Sequence, residues 1–167
     1  MFINCSSLIN VPSILPAMTL AGECYNSMFE GCSSLTTAPS LPATTLAGAC
    51  YTNMFRDCTS LTQAPELPAT TLIEHCYRSM FDGCTSLTQA PELPATTLAP
   101  VCYYCMFDGC TSLNNINVSF TEWNSSNTTD NWLKGVAAEG TFTCPAALPD
   151  TPRDASHIPS GWTKVNK

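Results

Sequence analysis

Apolar residues recur along the first two-thirds of the chain in a pattern with a period of 26 residues. A Met-Phe pair marks each copy of the pattern, and the pairs begin at Met1, Met28, Met54, Met80 and Met106. One inserted residue makes the first interval 27 residues long. A strict internal repeat of this length is typical of a solenoid, because stacked coils bury together the apolar face that one coil cannot bury alone.

Each copy divides into two halves with different patterns. The first half, LTQAPELPATTL at residues 61–72, has apolar residues at positions one, four and seven and predicts a short strand interrupted by proline. The second half, residues 72–84, has apolar residues at fourfold spacing and predicts a short helix with one buried face. Thr71 and Glu74 match a capping box at its start, and Gly83 lies where a left-handed C-cap is expected.

The repeated signature MFxGCxSLTxxxxL covers about two-thirds of the chain. It resembles the BspA-type leucine-rich repeats of gut and oral anaerobes and the related repeat of Mycoplasma surface lipoproteins. The resemblance implies a right-handed leucine-rich-repeat-like solenoid with short strands on one face. It also implies a bacterial protein that is secreted or held at the cell surface and serves adhesion to host proteins, matrix or other cells.

The expected fold is therefore an α/β repeat in which each 26-residue coil consists of a short strand and a short helix. Residues 1–116 are expected to form the leucine-rich-repeat solenoid, with about four coils and no cap on the first. Residues 117–167 are expected to form a β-rich C-terminal cap, in which GTFTC and WTKV predict strands. All three tryptophans lie in this segment, where they either cover the end of the stack or form an aromatic platform for sugars.

Composition excludes several kinds of partner. The formal charge is −7, and the six basic residues form no run, so neither nucleic acid nor an anionic membrane surface is an expected partner. The chain has no apolar run of the roughly 18 residues that cross a bilayer, so no membrane insertion is expected in this segment. The segment also contains no signal or anchor, although the family resemblance predicts a cell-surface or extracellular location.

Nine of the eleven cysteines form two columns of the repeat. We expect buried free thiols there, because the two columns of one predicted helix lie about 12 Å apart, beyond the reach of a disulfide. The spacing of cysteine and histidine does not match a zinc site. Cys105 and Cys144 lie outside the columns, and we expect them to form one disulfide that joins the cap to the stack. The alternative is two unrelated buried thiols.

The sequence favours binding over catalysis. No nucleophile–base set and no glycine-rich phosphate loop stands out, so we expect no enzyme activity, no cofactor and no metal. The main hypothesis is a surface module that binds a host or bacterial surface protein or a glycan. The alternative is a structural or assembly fragment of a larger surface or phage-tail protein, in which the uncapped first coil favours end-to-end self-association. The expected binding face consists of Thr62, Gln63, Glu66, Thr88, Gln89 and Glu92.

Overall fold

The computed structural model describes residues 1–124 and 126–167. Ser125, inside the expected C-terminal segment, lies outside the described residues. The coils are joined along one parallel sheet with the strand order β1-β2-β3-β4. Its strands are β1 (Gln89–Leu93), β2 (Asn115–Val118), β3 (Gly140–Cys144) and β4 (Trp162–Asn166).

The predicted α/β solenoid is wrong, because no coil has a helix among the described residues. The description of the chain as a leucine-rich-repeat solenoid is wrong for the same reason. Each expected helix is instead a run of turns, and we call residues 20–32, 46–58, 72–84 and 98–110 the turn segments. Their amides alternate between two kinds of partner. The Met80 N–H donates to the Tyr77 carbonyl of its own coil at 3.2 Å, whereas the Phe81 N–H donates to the Met106 carbonyl of the next coil at 2.9 Å.

Every fourth residue of a turn segment has a left-handed backbone conformation. In residues 72–84 these are His75, Ser79 and Gly83, with φ values of 59°, 49° and 74°. Four-residue turns therefore produce the same fourfold apolar spacing as a helix, and the capping box predicted at Thr71 has no helix to cap. The left-handed conformation expected at Gly83 is confirmed, although it ends a run of turns.

Proline explains why so few residues of the coils form regular strands. The strand β1 contains Pro91, and its pairing with β2 shifts register between Gln89 and Glu92. The strand β2 has no proline, and its pairing with β3 is continuous. Because proline has no N–H to donate, it interrupts a ladder of backbone hydrogen bonds. In the earlier coils the sheet is reduced to the isolated bridges Ile14–Ser40, Thr19–Thr45 and Thr37–Gln63.

Columns of identical side chains fill the core between coils. The ring of Phe81 stacks on those of Phe55 and Phe107, with centroid distances of 5.7 and 5.6 Å. A second stack contains Tyr51, Tyr77 and Tyr103. In the cysteine column next to the phenylalanines, each thiol after the first coil joins its coil to the preceding one: the Cys84 Sγ donates to the Phe55 carbonyl at 3.1 Å. The prediction that these cysteines are buried is confirmed for most of them, including Cys58 and Cys84.

The coil-to-coil hydrogen bonds continue beyond the repeated sequence. The Phe107 N–H donates to the Trp132 carbonyl at 2.9 Å, in the same way that earlier coils bond to their neighbours. The strands predicted in GTFTC and WTKV are present as β3 and β4. Trp132 and Trp162 are buried and donate their indole N–H groups to backbone carbonyls, so they pack inside the end of the stack. The division into residues 1–116 and 117–167 stays a prediction.

A partly buried carboxylate in a turn segment makes stability depend on pH. Burial raises the pKa of Asp82 to about 6 from 3.8, although Arg56 lies 3.5 Å from its carboxylate and opposes the shift. Because the folded pKa exceeds the unfolded one, this group lowers the free energy of unfolding as pH rises from about 4 to about 6, and the cost persists at neutral pH. We expect Asp82→Asn to raise the free energy of unfolding by about 1 kcal/mol at pH 7 and to have little effect at pH 3.5.

Urea denaturation at the two pH values measures the effect of this substitution. The control is Glu66→Gln, because Glu66 is an exposed carboxylate that is not among the charged groups around Asp82. A stabilisation of equal size at both pH values, or an equal stabilisation by Glu66→Gln, would show that the buried charge of Asp82 carries no cost.

Candidate functional site

A groove of about 600 Å³ lies on the sheet side of the coils. It runs between residues 62–68 of one coil and residues 88–94 of the next. The structure brings together on this groove all the residues of the binding face expected from the sequence, and their role in binding stays a prediction. These residues are Thr62, Gln63, Glu66, Thr88, Gln89 and Glu92.

The pattern LTQAPEL places the polar side chains of the groove in solvent. Leu61, Pro65 and Leu67 of this coil are buried in the core. The residues between them, Thr62, Gln63 and Glu66, are exposed. The next coil repeats the arrangement one layer away, so the groove has polar walls of hydroxyl, amide and carboxylate groups. Ala64, Pro68, Ala90 and Pro94 add small or rigid apolar surface between these walls.

The backbone ladder is interrupted beneath the groove. Among the described residues, no backbone hydrogen bond joins residues 62–72 to residues 88–98. On the other side of β1 the ladder resumes, because the Asn114 N–H donates to the Thr88 carbonyl at 3.1 Å. Prolines in both coils account for part of the interruption, since proline has no N–H to donate. Along the groove, backbone N–H and C=O groups therefore lack the hydrogen bonds to the neighbouring coil that such groups make in other parts of the stack.

Two glutamates give the groove a negative charge. No ion-pair or side-chain hydrogen-bond partner of Glu66 occurs in the described part of the chain, and Glu66 is exposed. Glu92 accepts a hydrogen bond from Asn117 Nδ2 at 3.4 Å and lies 3.6 Å from Lys167 Nζ. The two carboxylates occupy equivalent positions in adjacent coils, so a cationic group in the groove would be attracted along its length.

Beside the groove, three oxygen acceptors surround a single ammonium group, and one of them, Glu92, also lines the groove. Lys167 Nζ donates to Asn117 Oδ1 at 2.7 Å and to Ser119 Oγ at 3.1 Å, and Glu92 Oε1 completes the set. We call Glu92, Asn117 and Ser119 the ammonium cradle. Sequence reasoning missed it, because Lys167 lies far from Glu92 along the chain and outside the repeat.

Cys105 and Cys144, the two cysteines expected to form a disulfide, are free thiols in different surroundings. Cys105 is half-buried in a turn segment, where burial and the nearby Asp108 raise the pKa of its thiol. Cys144 is buried at the end of β3. Burial raises the pKa of its thiol, and the nearby Lys164 opposes only part of this shift. The structure does not bring the two thiols together in a bond.

The accessibility of the thiols predicts a two-step reaction with an alkylating reagent. We expect the native protein, prepared without reductant, to react rapidly only at the exposed Cys5 and Cys24 and more slowly at Cys105. In denaturant all eleven cysteines should react. Mass spectrometry of each digest counts and locates the modified residues. A peptide containing Cys105 bonded to Cys144 would contradict this prediction and confirm the disulfide expected from the sequence.

The described residues contain no group of three or more His, Cys, Asp or Glu side chains that could hold a metal ion. In the same part of the chain, no helix is long and apolar enough to cross a membrane.

Comparisons with known proteins do not identify the family. No protein-family model matches the chain, and the comparisons with curated proteins and with solved structures gave no match. The resemblance to the BspA-type repeat therefore stays a prediction, and the groove alone carries the functional argument.

Proposed function

We propose that this protein is a binding module that holds an extended polypeptide segment of a partner protein in the groove between residues 62–68 and 88–94. The observation that carries the proposal is the groove itself. Its volume of about 600 Å³ is in the range of ligand sites, and its walls contain convergent hydroxyl, amide and carboxylate groups.

Two features favour a polypeptide over a glycan as the ligand. The interrupted ladder leaves peptide groups along the groove that can bond to the backbone of a bound chain. The small or rigid apolar residues between the polar walls, such as Ala64 and Pro94, favour contact with aliphatic side chains, whereas sugars typically stack on exposed aromatic rings. The tryptophans that could form such a platform are mostly buried at the end of the stack.

The test is a selection from an unbiased library of displayed peptides on the wild-type protein, followed by measurement of dissociation constants. Thr88→Trp places a large side chain in the groove and is expected to weaken binding of a selected peptide at least tenfold. Thr85→Trp is the matched control, because Thr85 is also an exposed threonine but lies outside the groove. We expect this control to bind like the wild type.

Equal binding by the Thr88→Trp and wild-type proteins would overturn the groove as the site. A failure to select any peptide, together with binding of an oligosaccharide that Thr88→Trp abolishes, would overturn the polypeptide as the ligand. Thermal melting of both variants verifies that they remain folded.

The other functional expectations stay predictions. They are the location outside the cell or at its surface and the alternative of an assembly fragment that associates end to end. Exposed large apolar side chains are concentrated in the first coil, where such an association would act. They are Met1, Phe2, Ile3, Ile9, Ile14 and Met18.

A further inference from the structure

We infer that the groove recognises a lysine side chain of its polypeptide ligand in the ammonium cradle, and that the protein's own Lys167 occupies this subsite until the ligand displaces it. This inference rests on the proposed polypeptide-binding function and adds to it the chemical identity of one subsite and an internal competitor.

The cradle is built on two paired strands. Glu92 of β1 is the register partner of Asn117 of β2, and Ser119 follows directly after β2. The Asn117 amide donates through Nδ2 to Glu92 and accepts through Oδ1 from Lys167, so both ends of this side chain are engaged. The hydrogen bond between Asn117 and Glu92 therefore orients two of the three acceptors before an ammonium group enters.

The arrangement matches an ammonium group better than a guanidinium group. A lysine ammonium has three donors around one charged atom, and the cradle offers three separate oxygens at 2.7, 3.1 and 3.6 Å from Lys167 Nζ. Arginine presents a flat fork that pairs best with both oxygens of one carboxylate. Glu92 has one oxygen turned to Asn117 and Lys167, so the cradle does not present a carboxylate in that geometry.

Lys167 is placed to be displaced. Its backbone N–H is anchored to the Cys144 carbonyl at 3.0 Å, next to the last strand, whereas its side chain crosses to the cradle and stays 33% exposed. The Glu92 side chain is 64% exposed. An ion pair this open to water contributes at most about 1 kcal/mol and occupies the cradle only part of the time. A ligand lysine held in place by the rest of the groove can therefore replace Lys167.

The test uses pools of end-capped nonapeptides that are random except for a central lysine, arginine or norleucine. We expect the wild-type protein to bind the lysine pool more strongly than the other two. Lys167→Gln should tighten binding of the lysine pool roughly two- to fivefold, because it removes a competitor of this strength. Lys134→Gln is the matched control, since it removes the same charge from the ion pair with Asp108, away from the groove. It should leave binding unchanged.

Glu92→Gln is expected to abolish the preference for lysine over norleucine. Equal binding of the lysine and norleucine pools, each lost in Thr88→Trp, would overturn the lysine inference and leave the proposed function intact. Equal tightening by Lys167→Gln and Lys134→Gln would overturn the internal competitor, because only net charge would matter. If no pool binds the groove in any variant, both the inference and the proposed function fail.

Discussion

Above pH 9 the protein is expected to unfold cooperatively, because its core contains thiols that cannot ionise while they are buried. Burial raises the pKa of Cys50 to about 11 and the pKa values of Cys58 and Cys102 to about 12. Burial also raises the pKa values of Cys76, Cys84 and Cys110. In the unfolded chain these thiols ionise near their ordinary value of 9.0.

The sign of the effect follows from proton binding. Between the unfolded and folded pKa values the folded state holds more protons, so the free energy of unfolding falls as pH rises. Each such thiol lowers the free energy of unfolding by at most about 1.4 kcal/mol per pH unit, and six together lower it by at most about 8 kcal/mol per unit. This loss is comparable to the whole stability of an ordinary domain, which is about 5–15 kcal/mol.

Alkaline titration monitored by tyrosine absorbance and by circular dichroism measures this transition. We expect the buried Tyr77 and Tyr103 to ionise together with unfolding, because burial raises their pKa values as well. A native spectrum that persists to pH 12, with gradual ionisation of the tyrosines near pH 10, would show that the thiol columns are accessible to water.

Phe81→Ala is expected to lower the free energy of unfolding by about 3–5 kcal/mol, since it empties the middle of the phenylalanine column. The Phe81 side chain is fully buried between the rings of Phe55 and Phe107. Its removal leaves a cavity that touches three coils at once, and neighbouring coils bonded through their backbones have little freedom to close it. Denaturant unfolding monitored by fluorescence gives the change.

The control for this substitution is Phe2→Ala at the exposed end of the same column. Phe2 stacks on Phe29 with a centroid distance of 5.7 Å but remains 39% exposed. We expect its replacement to cost about 1 kcal/mol, because less apolar area leaves the core and water already reaches one side of the ring. Equal costs at Phe2 and Phe81 would contradict the account of a continuous stacked core.

The repeat, the stacking of the coils and the burial of the cysteine columns could be predicted from the sequence. The period of 26 residues places Phe55, Phe81 and Phe107 at equivalent positions, and burial of such a column requires stacked coils. The two late strands, GTFTC and WTKV, were also recognisable from their β-branched and aromatic residues.

The helix prediction failed because a fourfold spacing of apolar residues is compatible with two different backbone structures. Apolar residues four apart mark the buried face of a helix, but they also mark successive four-residue turns whose fourth residue is left-handed. The columns that carry this conformation contain Ser79 and Gly83 in one coil and Asn53 and Asp57 in another, all residue types that adopt it more readily than most. These residue types were visible in the sequence as a sign of left-handed turns. However, Val101 and Glu23 occupy an equivalent position in other coils, and neither residue type is expected to have a left-handed backbone.

The groove could be anticipated only in part. The alternation of LTQAPEL separates the exposed Thr62, Gln63 and Glu66 from the buried Leu61 and Leu67, and this much follows from the sequence. The missing backbone ladder and the ammonium cradle depend on distances between coils. No local pattern encodes the approach of Lys167 to Glu92, because Glu92 lies in β1 and Lys167 follows β4, and only the folded sheet brings them together.

The most direct test of the proposed binding site is a nuclear magnetic resonance titration of the ¹⁵N-labelled protein with a peptide from the selection. We predict that the largest changes in amide chemical shift occur at the non-proline residues of 62–68 and 88–94, with smaller changes at Asn117 and Lys167. Largest changes in the turn segments, such as residues 72–84, or at the exposed first coil would contradict it, because the ligand would then bind a surface other than the groove.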